Sequence, residues 1–194
     1  MGTAQPRRGN TRQRIQDVAL ELFSDHGYEK TSLREISEKL GVTKAALYYH
    51  FKTKEDIVLS LFEDLGRPID ELIAWGKEQP RTLETKQEIV RRYHDSLRSG
   101  EDLFRFMQEN QAAVRDLTIG ARFKERMFDL FDLLKEDDAE MVDQVRCLTA
   151  LFAMHAGLFA MQHVAGDPEE KREAILRVAT ELVTAANPPG RRPA

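Results

Sequence analysis

The sequence predicts an all-α protein. Three observations carry that reading. Apolar residues recur at helical spacing along most of the chain, capping residues and glycine or proline punctuate the repeats, and no stretch alternates apolar and polar as a half-buried strand does. About nine helices fit: a three-helix unit near the N-terminal end, then a larger helical body.

Residues 1–10 are polar, hold Arg7 and Arg8, and read as a flexible basic arm. Asn10 or Thr11 caps a first helix, whose Ile15, Val18, Ala19, Leu22 and Phe23 form one apolar stripe that ends at Gly27. Ser32 and Glu35 have the spacing of a capping box, opening a short helix with Leu33, Ile36 and Leu40 on one face. Gly41 stops it, because glycine adopts the left-handed conformation freely. Thr43 caps a third helix that sends Leu47 and Phe51 inward, and Thr53 with Asp56 opens a fourth.

In the body, Gly66 and Pro68 are expected to break the helix that starts at Lys54, leaving a short helix over residues 69–78. Further helices are expected over 82–99, 101 to about 117, and 119–135. The longest is expected over 138–164. It is apolar nearly all round between Cys147 and Met161, so it needs cover on more than one side. Asp167-Pro168-Glu169-Glu170 opens the last helix with an N-cap, a proline at its first position and acids in its first turn. Ala174, Ile175, Val178, Ala179, Leu182 and Val183 stripe that helix, and Asn187-Pro188-Pro189 ends it.

Residues 31–54 carry the chemistry. A helix, a glycine turn and a second helix make a helix-turn-helix, whose second helix lies in the DNA major groove. That second helix and its flank offer Thr43, Lys44, Ala45, Tyr48, Tyr49, His50, Lys52 and Lys54, with no carboxylate between Gly41 and Lys54. Such a donor set suits phosphate oxygens and base-edge acceptors. Thr31 and Ser32, at the start of the helix before it, complete the candidate DNA-contacting set. Arg7 and Arg8 fit a minor groove or plain solvation equally well.

GVTKAALYYHFKTKED, preceded by TRQRIQDVALELFSDHGY and TSLREIS, closely resembles the DNA-binding domain of the TetR family of bacterial repressors over residues 11–59. The resemblance implies that Tyr48, Tyr49, His50 and Lys54 sit on phosphates, while Thr43, Lys44 and Ala45 face bases. Many members carry glycine where this chain has Ala45, a difference that bears on the target sequence. The resemblance also implies an organisation: an arm over 1–10, a DNA-binding domain over 11–54, a ligand-binding and dimerisation domain over 55–187, and a disordered tail over 188–194. The implied protein is a repressor, homodimeric through its last two helices, bound to a palindrome in double-stranded DNA and released by a small effector. A ligand-independent architectural protein or an activator on the same fold is the alternative.

Charge fits a DNA-binding head. The whole chain of 194 residues has a net charge of −4, yet residues 1–54 hold ten Lys/Arg against six Asp/Glu. A single cysteine excludes a disulfide framework and suits a reducing cytoplasm, and no signal peptide or membrane span is legible. No catalytic motif, cofactor loop or metal-ligand spacing is found, so an enzyme is not expected. His155 and His163 lie about 12 Å apart along a helix, too far to share a metal. Phe104, Met107, Gln108, Phe123, Met127, Phe131, Phe152, His155 and Phe159 are the candidate lining of an effector pocket, with Gln111 and Arg122 as further polar groups. The same spacing is also what ordinary helix packing produces.

Overall fold

The structure, a computed structural model, describes residues 11–98, 100, 103, 106, 110 and 119–188. Arg7 and Arg8 of the arm, most of the helix expected over 101–117 and the end of the tail lie outside the described residues. Those described are all-helical: α1 (Thr11–His26), α2 (Leu33–Leu40), α3 (Lys44–His50), α4 (Lys54–Glu78), α5 (Leu83–Arg98), α6 (Ile119–Leu134), α7 (Met141–Ala160) and α8 (Pro168–Ala186). One 3₁₀ turn, Met161–His163, follows α7.

The caps act locally as the sequence implies. Ser32 Oγ accepts the Glu35 N–H at 3.2 Å, and Thr43 Oγ1 accepts the Ala46 N–H at 3.1 Å. Thr53 and Asp56 cap each other reciprocally at 3.0 Å. Asp167 accepts from both Glu169 and Glu170. Gly41 has φ 70° and returns its N–H to the end of α2, a conformation that costs an L side chain about 1–2 kcal/mol. The box at Ser32 is only half closed, since the Glu35 carboxylate turns instead to His26 Nδ1 at 2.7 Å.

α4 corrects the sequence reading. It runs unbroken for 25 residues through Gly66 and Pro68 and is the longest described helix. The proline removes the N–H that would meet the carbonyl of Asp64, at a cost of about 3 kcal/mol. Side-chain interactions across this stretch offset that cost. Arg126 on α6 grips Asp70 with two hydrogen bonds of 2.7 and 2.8 Å, which holds that carboxyl below its ordinary range. The same guanidinium lies against Gly66, where a Cβ would come within 2.3 Å of Arg126 Cζ. Ile69, Leu72 and Ile73 are buried just beyond. The helix expected over 138–164 is shorter. α7 starts after Glu140, whose carbonyl accepts the Gln144 N–H, and a 3₁₀ bond from Val164 to Met161 tightens its far end.

The chain divides into two compact units, Met1–Asp64 with Gly100–Gly120 and Leu65–Ser99 with Ala121–Ala194. The first therefore includes α4 well beyond Lys54. Its core is Ile15, Ala19, Leu22 and Phe23 of α1, Ile36 of α2, Leu47 of α3, and Ile57 and Val58 of α4. Phe106 joins them. Its ring lies 5.4 Å from Phe23 and 5.9 Å from Tyr28, which are themselves 5.1 Å apart, edge to face. Gln16, also buried, donates to Ser60 Oγ at 2.8 Å and to Asp64 Oδ2 at 2.7 Å.

In the second unit α7 and α8 approach closely, since a Cβ at Gly157 would meet Ile175 Cδ1 at 3.0 Å. Lys86 is buried, pairs with Glu136, and donates to Asn187 Oδ1 at 2.6 Å. Asn187 Nδ2 in turn donates to the Leu134 and Val183 carbonyls. This small polar knot ties α5, the end of α6 and the end of α8 together, and its buried charge is paired as burial requires. Burial pushes the nearby Cys147 thiol up to about 11, so it stays protonated at neutral pH.

Phe106 has no exposed surface. Phe106→Ala is expected to destabilise the chain by about 3–5 kcal/mol in urea unfolding. A loss under about 1 kcal/mol contradicts the packing described.

Candidate nucleic-acid interface

α3 has only seven residues, too few to persist alone. Leu47 and Phe51, buried to 1% and 3% exposure, fasten it to the first unit. That burial fixes its rotation. Thr43, Lys44, Ala45, Tyr48 and Tyr49 are exposed, with Tyr49 81% exposed. His50 is half-buried, its ring edge-on to Tyr49 at 5.2 Å. Ser32 is exposed at the start of α2.

Thr31 and Lys54 of the candidate set are occupied within the chain. Thr31 is buried, with its hydroxyl 2.9 Å from the Gly27 carbonyl and 3.2 Å from that of Leu22, and its N–H also points to this turn. It holds the α1–α2 turn, and its side chain is buried there rather than turned outward as the sequence reading had it. Lys54 donates to the Tyr28 carbonyl at 2.6 Å and lies over the Tyr28 ring at 4.3 Å. Its first role is therefore to pin α4 to the α1–α2 turn. Tyr28 OH donates to Glu55 at 2.9 Å, and burial followed by this bond raises the phenol's pKa.

Other cations between residues 31 and 54 are engaged as well. Arg34 pairs with Glu38, Lys39 with Glu21, and Lys52 donates to the Tyr48 carbonyl. Among the described residues Lys44 has no such partner. The surface thus presents one uncommitted ammonium, two exposed phenols and several hydroxyls, which donate hydrogen bonds to anionic oxygens.

The candidate pocket residues divide. Phe123, Met127 and His155 come together around Tyr93, a fully buried residue that the sequence analysis did not single out. Tyr93 OH meets His155 Nε2 and lies 3.4 Å from Met127 Sδ, and the Phe123 ring stands edge-on to His155 at 4.7 Å. The signal was a tyrosine in an apolar stripe, whose hydroxyl demands a partner. Phe131 is half-buried beside Lys135. Phe152 is exposed and stands on an outer stripe of α7 with Val145 and Leu148, apart from the Tyr93 cluster. Phe104, Met107, Gln108, Gln111 and the Phe159 side chain lie outside the described residues. No group of three metal-ligating side chains is found among the described residues, nor is any described helix long and apolar enough to cross a membrane.

A short, outward-facing helix held by a glycine turn against two others defines a helix-turn-helix DNA-binding protein. Comparison with known proteins narrows this. Residues 15–61 match the family described as bacterial regulatory proteins, tetR family. Over 62 residues the chain is 50% identical to the HTH-type transcriptional regulator AcrR of Shigella flexneri, a match covering 32% of this chain and 29% of that protein. Over 160 residues it is 27% identical to an HTH-type transcriptional regulator of Staphylococcus aureus, covering 78% of this chain and 81% of the other. The crystal structure of Mycobacterium smegmatis AmtR superimposes with a TM-score of 0.62 at 25% identity, covering 98% of this chain and 100% of that one. These matches place a TetR-family DNA-binding domain within the chain, over residues 15–61.

Two outcomes follow. Tyr49→Ala is expected to leave the melting temperature unchanged and weaken binding to every DNA sequence roughly tenfold, the loss of one hydrogen bond to a charged oxygen. Lys54→Ala is expected to lower the melting temperature as well. Calorimetry and fluorescence anisotropy with duplex DNA read both, and a Tyr49→Ala chain with full DNA affinity contradicts the assignment.

The second outcome concerns His155. Burial lowers its imidazole from 6.5 to about 4. The unfolded chain takes up this proton below about pH 6.5, and the folded chain resists until about 4. The contribution is therefore constant above 6.5, and stability falls by on the order of 3 kcal/mol as the pH drops to 4. His155→Phe should flatten that slope, and an unchanged slope contradicts a neutral buried imidazole.

Proposed function

We propose that the protein is a cytoplasmic repressor that binds a palindromic operator as a homodimer and leaves it when a small, mostly apolar effector occupies the helical body. The observation that carries the dimer is the outer stripe of α7. Met141, Val145, Leu148 and Phe152 are all exposed at spacings of four, three and four residues, and Val178 on α8 is exposed too. Their opposite faces are buried within the chain at Cys147, Ala150, Leu151 and Met154, and at Ile175, Ala179 and Val183. A contiguous apolar stripe of this kind needs cover, and a second copy of the same two helices supplies it with two-fold symmetry.

The Tyr93–His155 pair supports the effector site. Burial is the cause of both pKa shifts. An aromatic, thioether-flanked and electrically neutral cluster suits an apolar ligand bearing an uncharged polar group. The Gly66–Pro68 stretch supports a route of transmission. Arg126 grips α4 there, one residue before Met127 and three after Phe123. An effector that displaces α6 displaces this grip, and it releases DNA only if it binds the released state better.

Selection of bound duplexes from a random pool tests the reading. An inverted repeat is expected, with half-sites centred about 34–36 Å apart or a multiple of that. An unrepeated site contradicts it. Leu148→Glu is expected to convert a sedimenting dimer to a monomer and to abolish binding to the full palindrome. A dimer that survives this change places the interface elsewhere.

A further inference from the structure

We propose that Lys44 and Ala45 set the operator sequence: Lys44 reads a guanine, and Ala45 reads the methyl group of a thymine within two base pairs of it. The assignment rests on the DNA-binding reading and goes beyond it to the bases recognised.

The argument begins with what is missing from the exposed surface. Between Gly41 and Lys54 the sequence has no Asp, Glu, Asn or Gln. A carboxylate is what accepts from the cytosine amino group, and an amide side chain is what pairs with both polar groups of adenine. Neither base has its usual partner here. Guanine differs, because it shows two acceptors, O6 and N7, in the major groove and calls for a donor alone.

Several side chains donate, but most are held. Lys52 and Lys54 each donate a hydrogen bond, to the Tyr48 and Tyr28 carbonyls respectively, and Arg34 and Lys39 are paired with Glu38 and Glu21. Thr43 Oγ1 accepts the Ala46 N–H at 3.1 Å, which restrains the hydroxyl at the cap. Lys44 is exposed and has no partner among the described residues. It is thus the cation whose transfer to a base breaks no internal bond.

Ala45 follows directly. It is exposed and carries one methyl group and no polar atom. The only complement to a methyl group in the major groove is the thymine C5-methyl. Successive helical residues rise 1.5 Å and successive base pairs 3.4 Å, so the two side chains reach neighbouring or next-neighbouring bases.

The test uses the full-length chain and random-pool selection, run in parallel for the wild type, Lys44→Gln and Ala45→Gly. The wild-type motif is expected to hold a guanine and a thymine within two base pairs in each half-site. Lys44→Gln is expected to lose the guanine column or shift it to adenine, leaving the thymine. Ala45→Gly is expected to flatten only the thymine column. Replacing that thymine with deoxyuridine removes one methyl group and should weaken the wild type about fourfold, with no effect on Ala45→Gly. Replacing the guanine with 7-deazaguanine should weaken the wild type roughly tenfold and spare Lys44→Gln.

The assignment is overturned if Lys44→Gln selects the wild-type motif while weakening all sequences equally and reducing the salt slope by about one charge, because Lys44 then sits on a phosphate. A deoxyuridine duplex bound as tightly as the thymine one overturns the Ala45 half. A wild-type chain that enriches no motif removes the DNA-binding reading and this assignment with it. Lys44→Gln should melt with the wild type, since its side chain is exposed, and Ala45→Gly slightly below it, since glycine is a poorer helix former than alanine.

Discussion

The burial of Leu47 and Phe51 is the constraint on which the DNA-binding surface depends. A seven-residue helix has no stability of its own and no preferred orientation. Two apolar anchors four residues apart, with a threonine cap before the first, give it both. Everything that faces outward on α3 does so because these two face inward. The chemistry of the site is thus set by core packing before any DNA is present.

The surrounding side chains sharpen the surface by subtraction. Thr31, Lys52 and Lys54 have donors that a sequence reading offers to DNA, yet each is engaged with a backbone carbonyl of its own chain. The Lys54 bond has a clear structural purpose: it fixes the start of α4 to the turn that also carries Tyr28, whose ring packs on Phe23 and Phe106. What remains uncommitted is small and close together, as a specific contact requires.

Much of this was legible in the sequence. The caps at Ser32, Thr43 and Thr53, the stop at Gly41 and the inward positions of α1 and α3 all follow local rules that act over three or four residues. The errors arise where distant residues decide. Pro68 reads as a helix break, but Arg126, far along the chain, braces the helix across Gly66 and Asp70. Phe106 reads as one more apolar helical position, and only the fold brings it to Phe23 and Tyr28. Phe152 reads as pocket lining because the run around it is apolar on every side; its exposure with Val145 and Leu148 separates an outer stripe from the core. Thr31 and Lys54 read as free donors because a sequence shows which atoms a side chain has, not which carbonyls lie near them.

Hydrogen–deuterium exchange on the full chain, with and without a duplex enriched from a random pool, tests the central claim most directly. The account predicts slowed exchange concentrated in Lys44–His50 and the turn before it when DNA is added. Exchange that is unchanged there, with protection confined to α7 and α8, would contradict it.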